Sequence, residues 1–324
     1  MQKIESYQKI FIDYLENYAV DREPMNLYEP VNYILKLGGK RLRPVLTLMT
    51  TEVFGAEAQL ALNAALSVEV FHNFSLIHDD IMDGAPLRRG KQTVHVKWDL
   101  NTGILSGDAM LILAYQLFEN YESDKFQSLA KLFSKTALEV CEGQQFDIDF
   151  ETRNDVTISE YLKMIEFKTA VLVGAAMKMG AIVAGASQSD QQAIYDFGRF
   201  LGIAFQLQDD YLDAFGNPET FGKQVGGDIL ENKKTYLYIK TLELGSTSQQ
   251  KLLLKTINDS DLNDEEKVST VKDLFKESSA SNATQNAVKD FTDKAFKVLN
   301  TINISEDKKQ VLRLFGEQLM NRHV

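Results

Sequence analysis

From residue 56 to residue 83 the chain contains no glycine or proline, and its apolar residues recur at helical spacing. One helix over that span would run roughly 40 Å at about 1.5 Å per residue. Gly84 and Pro86 supply the stop. The last turn carries Asp79, Asp80 and Asp83, and the four-residue spacing puts the Asp79 and Asp83 carboxylates on one face. His72, seven residues before Asp79, falls near the same strip. Carboxylates at a helix C-terminus oppose the macrodipole. Like charges at this spacing cost a further 0.2–0.5 kcal/mol or so, about what an opposite pair gains. A solvated acidic helix end tolerates that conflict; a bound divalent cation removes it. Ligands that are all carboxylates suit Mg²⁺, which keeps waters and shares its shell with phosphate oxygens.

The pattern recurs once. FQLQDDYLDAFG places Asp209, Asp210 and Asp213 at the same spacing, again at a helix end. That helix is expected to open near Ser189, with Gln192 three residues on as a capping box, and to stop at Gly216-Asn217-Pro218. Gln206 lies one turn before Asp209. Two acidic triplets on two helix ends, facing each other, would make a cage for several Mg²⁺ ions and a diphosphate.

The rest of the composition fits a helical protein. There are five prolines in 324 residues, no convincing run of alternating strands and no short-period repeat. The single cysteine, Cys141, rules out an intramolecular disulfide and fits a reducing compartment. The N-terminus is a charged amphipathic pattern without signal-peptide layout. The most apolar stretch, 169–187, is rich in Ala and Gly and is interrupted by Lys178. It reads as a tightly packed core helix, not a membrane span. The expectation is a cytoplasmic protein with no transmembrane segment. A net charge of −11 argues against nucleic acid as the main partner and makes local basic clusters informative.

One such cluster is Lys36, Lys40, Arg41 and Arg43, gathered around Gly38-Gly39 with no acid among them. Glycine lets the backbone approach an anion closely, and arginine offers phosphate a two-pronged donor set. A solvated basic loop has the same composition. Arg88 and Arg89 follow the first triplet directly. Lys168 and Thr169 open an apolar run, so a buried lysine there needs a partner. Further helices are expected over about 1–20, 30–37, 104–121 and 129–146. Another is expected over 159–168, with Ser159 as N-cap, and three amphipathic ones over 263–276, 283–301 and 305–322. A mobile loop is expected at 276–284.

Taken in order, six pieces resemble the trans-isoprenyl diphosphate synthases, the polyprenyl synthetase family. They are GGKRLRP (38–44), HDDIMD with LRRG (78–90), GQQFD (143–147), FKTA (167–170), FQLQDDYLD (205–213) and GKQVGGDILENKKTY (222–236). The resemblance implies an all-α isoprenoid synthase fold, a large helical bundle around a deep central cavity. The whole chain, 1–324, would be one domain, with the motifs in a core of about 30–240 and helices from about 245 packed on it. It also implies a homodimer that condenses isopentenyl diphosphate with allylic diphosphates. By the same resemblance, Asp79, Asp80, Asp83, Asp209, Asp210 and Asp213 hold Mg²⁺, three ions per site. Lys40, Arg43, His72 and Arg89 hold isopentenyl diphosphate. Arg88, Lys168, Lys223 and Lys233 serve the allylic diphosphate, Thr169 and Gln206 count among the substrate-binding residues, and Gln144 and Asp147 resemble a supporting layer nearby.

In this family the fourth and fifth residues before the first aspartate set the floor for the growing chain. Here these are Ser75 and Phe74, with Phe71 one turn deeper on the same strip as His78. A small residue beside one aromatic, with no insertion in the first motif, resembles geranylgeranyl diphosphate synthases. A twenty-carbon product is therefore expected, with fifteen carbons close behind. A class I terpene cyclase shares the first motif but normally carries an Asn/Ser/Glu-type second one, which DDYLD is not. A head-to-head condensing enzyme fits less well for the same reason. A non-catalytic regulatory subunit would be expected to have lost aspartates, and all six are present.

Overall fold

A computed structural model of the chain describes residues 2–217, 225–259 and 261–320. In chain order the helices are α1 (Gln2–Glu16), α2 (Met25–Lys36), α3 (Leu42–Val53) and α4 (Leu62–Met82), the last entered through a 3₁₀ turn, Ala58–Ala61. A two-strand antiparallel hairpin follows, β1 (Leu87–Arg88) and β2 (Lys91–Gln92), then α5 (Val94–Lys97), α6 (Leu100–Gln116) and α7 (Ser123–Glu151). Next come α8 (Ile158–Ile165), a π-helical turn at Glu166–Ala170, α9 (Val171–Val183) and α10 (Gln188–Phe215). The series ends with α11 (Gly227–Leu230), α12 (Tyr236–Leu244), α13 (Thr247–Asn258), α14 (Asp264–Glu277), α15 (Ala280–Thr301) and α16 (Glu306–Met320). The all-α expectation holds, with the two-residue hairpin as an addition.

The chain forms two compact units. The first comprises Met1–Lys135 and Ala175–Gln192, the second Thr136–Gly174 and Ala193–Val324. In the first unit α4 is the central helix. Residues 64–71 are all buried, so two turns have no water-facing side, and α4 packs on α1, α2, α3 and α6. The stretch Ala58–Met82 is long and apolar enough to cross a membrane by composition, yet 67% of its apolar 18-residue segment is buried within the fold, as in a core helix. The Ala/Gly part of α9 is also core. The hydroxyls of Thr47 and Thr51 donate to the carbonyls of Ala176 and Gly180, at 2.9 and 3.3 Å. A Cβ on Gly180 would stand 2.3 Å from the Thr47 carbonyl oxygen, so only glycine permits this approach.

The second unit is built around Tyr161, Ile165, Leu207, Leu237, Leu253, Val271 and Phe275. Its part of α10 meets the C-terminal helices. The Phe197 and Phe296 rings lie tilted to each other with centroids 6.4 Å apart, and Gln208 Nε2 donates to the Met320 carbonyl at 2.7 Å.

Several expected boundaries shift. α2 begins at Met25, not 30, and carries Pro30 inside it, buried. α6 begins at Leu100 because Asp99 caps it, accepting from the Thr102 amide, so Gly107 lies in mid-helix. The cap of α8 is Thr157, not Ser159: Thr157 and Glu160 form the capping box. For α10 the Ser187 hydroxyl, not Ser189, accepts the Asp190 amide at 3.2 Å. The loop expected at 276–284 is only a turn at Ser278-Ser279, where Ser279 takes the left-handed conformation and α15 starts at once. Burial of Ser278, Ala280 and Thr284 overrides the polar composition there. α12 and α13 were not anticipated.

Candidate active site

In the first unit the first triplet divides by burial. Asp79 and Asp83 lie on the outer strip of the last turn of α4, Asp83 exposed at the C-cap. Asp80 points the other way and is 1% exposed. Both of its oxygens accept from Arg88 Nε at 2.8 Å, and Arg88 Nη2 stands 2.7 Å from Oδ1. The carboxylate is therefore already neutralised, by a residue expected at a diphosphate. The adjoining hairpin turn, Arg89-Gly90, has positive φ at both positions (52° and 73°), the pattern of a type I′ turn. Arginine in that conformation is strained by about 1–2 kcal/mol. The offset is contact: Arg89 Nη1 donates to the Gly38 carbonyl, and a Cβ on Gly39 would lie 2.8 Å from the Arg89 guanidinium carbon. The two glycines of GGKRLRP thus make room for an arginine fifty residues later.

Within that basic loop the roles separate. Arg41 is buried, pairs with Glu69 and donates to the Leu35 carbonyl, which makes it part of the core. Arg43 Nη1 lies 3.3 Å from His72 Nε2. A guanidinium only donates, so Nε2 accepts and the imidazole is neutral. Burial, then Arg43, Arg89, Arg88 and Arg41, holds His72 well below the usual histidine range. Lys40 is exposed. Phe71, Phe74 and His78 form one ring-contact strip, with centroids 5.4 and 4.8 Å apart, while Ser75 donates to the His72 carbonyl.

In the second unit a cavity of about 230 Å³ is lined by the whole second triplet, together with Asp147, Tyr161, Lys168, Thr169, Gln206, Asp228, Lys233 and Lys234. Lys168 and Thr169 project from the π turn. That turn is held by glycines on two sides. A Cβ on Gly143 would stand 2.2 Å from the Lys168 amide nitrogen, and one on Gly202 would stand 2.7 Å from the Ala170 Cα. Lys168 pairs with Asp147. Lys233 lies 3.5 Å from Asp228 and 2.7 Å from Glu231. Burial works against the Lys233 charge, but Asp228, Glu231 and Asp147 raise its pKa overall. Lys223 falls outside the described residues.

The second triplet divides differently: Asp210 and Asp213 are both buried, and Asp209 is partly exposed. Asp210 is buried, and its two oxygens accept from the Tyr161 hydroxyl and from Gln206 Nε2, the latter at 2.9 Å. Gln206 in turn accepts from Thr169 at 3.3 Å. Burial first, then Asp228, pushes the Asp210 carboxyl well above the usual carboxylate range, with the Tyr161 and Gln206 bonds opposing. Asp213 accepts the Asp228 amide at 3.0 Å. Tyr161 was not anticipated: its spacing matches an ordinary core face, and its partner is forty-nine residues away.

Among the described residues no three His, Cys, Asp or Glu side chains converge closely enough to hold an ion alone. The donor chemistry nonetheless fits Mg²⁺, which is held by one or two carboxylates with water and phosphate oxygens completing the shell. Burial, with Asp228 and Asp209 adding to it, raises Asp210, and a cation beside these carboxylates would offset their mutual repulsion.

The chain matches the Polyprenyl synthetase family over residues 24–276. A geranylgeranyl diphosphate synthase of Methanosarcina mazei is 45% identical over 224 residues, 68% of this chain and 69% of that protein. A crystal structure of a geranylgeranyl pyrophosphate synthase is 56% identical, with a TM-score of 0.94 over 99% of both chains. A polyprenyl synthase from Caulobacter crescentus CB15, crystallised with calcium and isoprenyl diphosphate, is 27% identical with a TM-score of 0.83, over 99% of this chain and 95% of that one.

Proposed function

Because this chain belongs to the polyprenyl synthetase family and is a short-chain trans-isoprenyl diphosphate synthase, we propose that it condenses isopentenyl diphosphate head to tail with allylic diphosphates to a twenty-carbon product. The observation that carries the assignment is the second unit's cavity, where the acidic triplet shares one wall system with Lys168 and Lys233. Acids and fixed ammonium groups around one space suit a metal-bound diphosphate that departs with its charge. Members of the family are generally dependent on a divalent metal.

Asp79, Asp83, Asp209 and Asp213 would supply the carboxylate oxygens for three Mg²⁺ ions, with Asp80 and Asp210 anchoring them. The ions held there would supply charge neutralisation to the leaving diphosphate. Lys168, Lys233 and Arg88 add fixed positive charge where negative charge develops, and Lys223 is proposed to join them. Thr169 and Gln206 orient the allylic headgroup. Lys40, Arg43, His72 and Arg89 hold the diphosphate of isopentenyl diphosphate, so that its double bond reaches the allylic carbon. The apolar walls keep water from the cation. The departing diphosphate accepts the proton, and no protein base is required. Leu105 and Ile112, each 58% exposed and seven apart on α6, support a homodimer. The single thiol, Cys141, supports a cytoplasmic location.

The test is product sizing. The protein is incubated with Mg²⁺, isopentenyl diphosphate and each allylic starter, and the dephosphorylated products are separated. A twenty-carbon main product is expected, abolished by EDTA and restored by Mg²⁺. Full turnover in a chelated sample would overturn the mechanism.

A further inference from the structure

Outside the site just described, the first unit carries an open basic pocket of about 590 Å³, whose walls include Tyr33, Lys36, Leu37, Gly90, Lys91 and Lys97. No acid lines it. Among the described residues no carboxylate is paired with Lys36, Lys91 or Lys97, although acids outnumber bases by 46 to 35 in the chain. In so acidic a protein three unpaired lysines around one space form a local attractor for anions.

Two features hold these charges in place. The hairpin register sets Lys91 directly across from Arg88. Like charges in that position repel unless each is neutralised. Asp80 neutralises Arg88, whereas among the described residues no carboxylate does so for Lys91. Lys97 Nζ sits over the Tyr33 ring at 4.1 Å and over the Trp98 ring at 4.8 Å. The Tyr33 ring is itself fixed, its hydroxyl donating to the Gln92 carbonyl at 2.7 Å. Two of the pocket's walls also run straight into the basic loop. Leu37 precedes Gly38 and Gly90 follows Arg89, and Arg89 donates to the Gly38 carbonyl.

We propose that this pocket is a landing subsite for the diphosphate of isopentenyl diphosphate, which passes from Lys36, Lys91 and Lys97 to Arg43 and Arg89. This rests on the assignment of Arg43 and Arg89 to isopentenyl diphosphate. The chemistry of the two sets matches the two tasks. Lysine is a compact, strongly hydrated point charge on a flexible stem, suited to a transient hold. Arginine grips phosphate with a rigid two-pronged donor set, suited to the final position.

The test is a Lys36→Gln/Lys91→Gln/Lys97→Gln variant, compared with the unaltered enzyme at ionic strengths from about 0.02 to about 0.5 M, across which the Debye length shrinks several-fold. The lysines are exposed, and a thermal melt checks the fold. Expected is a loss in kcat/KM for isopentenyl diphosphate of about three- to tenfold at low salt, fading at high salt. Both kcat and the KM for the allylic substrate should stay unchanged. An unaltered salt dependence overturns the landing subsite, and so does a loss that persists at high salt. Arg43→Ala, run in parallel, separates the two ideas. If it leaves the KM for isopentenyl diphosphate unchanged, the underlying assignment fails; if it raises that KM while the triple variant is silent, only the landing subsite fails.

Discussion

The middle aspartate of each triplet is chemically identical to its neighbours and is buried against side chains of the fold. Asp80 is neutralised by Arg88, and Asp210 is saturated by Tyr161 and Gln206. Removing the Asp80 charge should therefore loosen Arg88 and leave the metal requirement alone. Asp80→Asn is expected to raise the KM for the allylic substrate about tenfold, equivalent to roughly 1.5 kcal/mol for one charged hydrogen bond. The Mg²⁺ concentration for half-activity should hardly move. Asp79→Asn should instead raise that concentration at least about tenfold, on the same scale. Equal Mg²⁺ shifts in both variants would contradict the division. His72 gives a second residue-scale expectation. Its folded pKa lies below the unfolded one, so the unfolded chain binds the proton more readily. The stabilisation is complete above the ordinary value of 6.5 and is lost as pH falls through it. About 1.4 kcal/mol should be gone one unit lower. Urea unfolding of the unaltered protein and of His72→Gln should converge in that window; parallel curves would rule His72 out as the source.

At the scale of elements, the π turn shows how backbone geometry places Lys168. A Cβ on Gly143 would meet backbone atoms, the Lys168 nitrogen at 2.2 Å and the Phe167 carbonyl carbon at 2.6 Å, and neither can move without moving the turn. Gly143→Ala is expected to cost about 1–3 kcal/mol by overpacking. It should lower kcat about a hundredfold, since a misplacement of about 1 Å has that effect. Gly316→Ala is the control, because its Cβ would meet the Phe296 ring at 2.9 Å, away from the cavity; it should lose stability and keep kcat. A Gly143→Ala enzyme with normal kcat would refute the placement. Gly198 and Gly202, four apart, suggest close helix packing from the sequence, and Gly202 does meet Ala170, but the turn itself was not legible. A π turn has no local signature, and it persists here because two glycines on other helices close on it. The same reason explains the serine-rich segment 276–284, where tertiary burial outweighed composition. By contrast, α4 ends just before Gly84, and α14 starts just after its Asn263 cap, because those signals are local. The acidic triplets and the basic loop were legible as chemistry. The division of labour within them was not, since burial alone separates Asp79 from Asp80.

At the scale of the whole molecule, the excess of acids means that two anionic substrates can be held only where cations are gathered. Arg41, Arg43, Arg88 and Arg89 gather in the first unit, and Lys168 and Lys233 in the second. On the proposed assignment charge fixes where the heads lie, and product length is left to apolar side chains at some depth from them. Phe74 lies five residues before Asp79 on α4, about 7.5 Å along the axis. It is 8% exposed, with its ring against Phe71 and His78. Phe71, a turn deeper, is fully buried against Phe133 at 5.1 Å, so it belongs to the core as well as to the strip. Phe74→Ala should remove the first floor and shift the main product to longer chains by one or more five-carbon units. Phe71→Ala would cost about 3–5 kcal/mol and confuse length with instability. Phe71→Leu is the better second step, and combined with Phe74→Ala it should lengthen the products further. The measurement is the size distribution after dephosphorylation, at matched turnover. If both variants are active and give the unaltered distribution, Phe74 is core packing alone and the floor lies on another element.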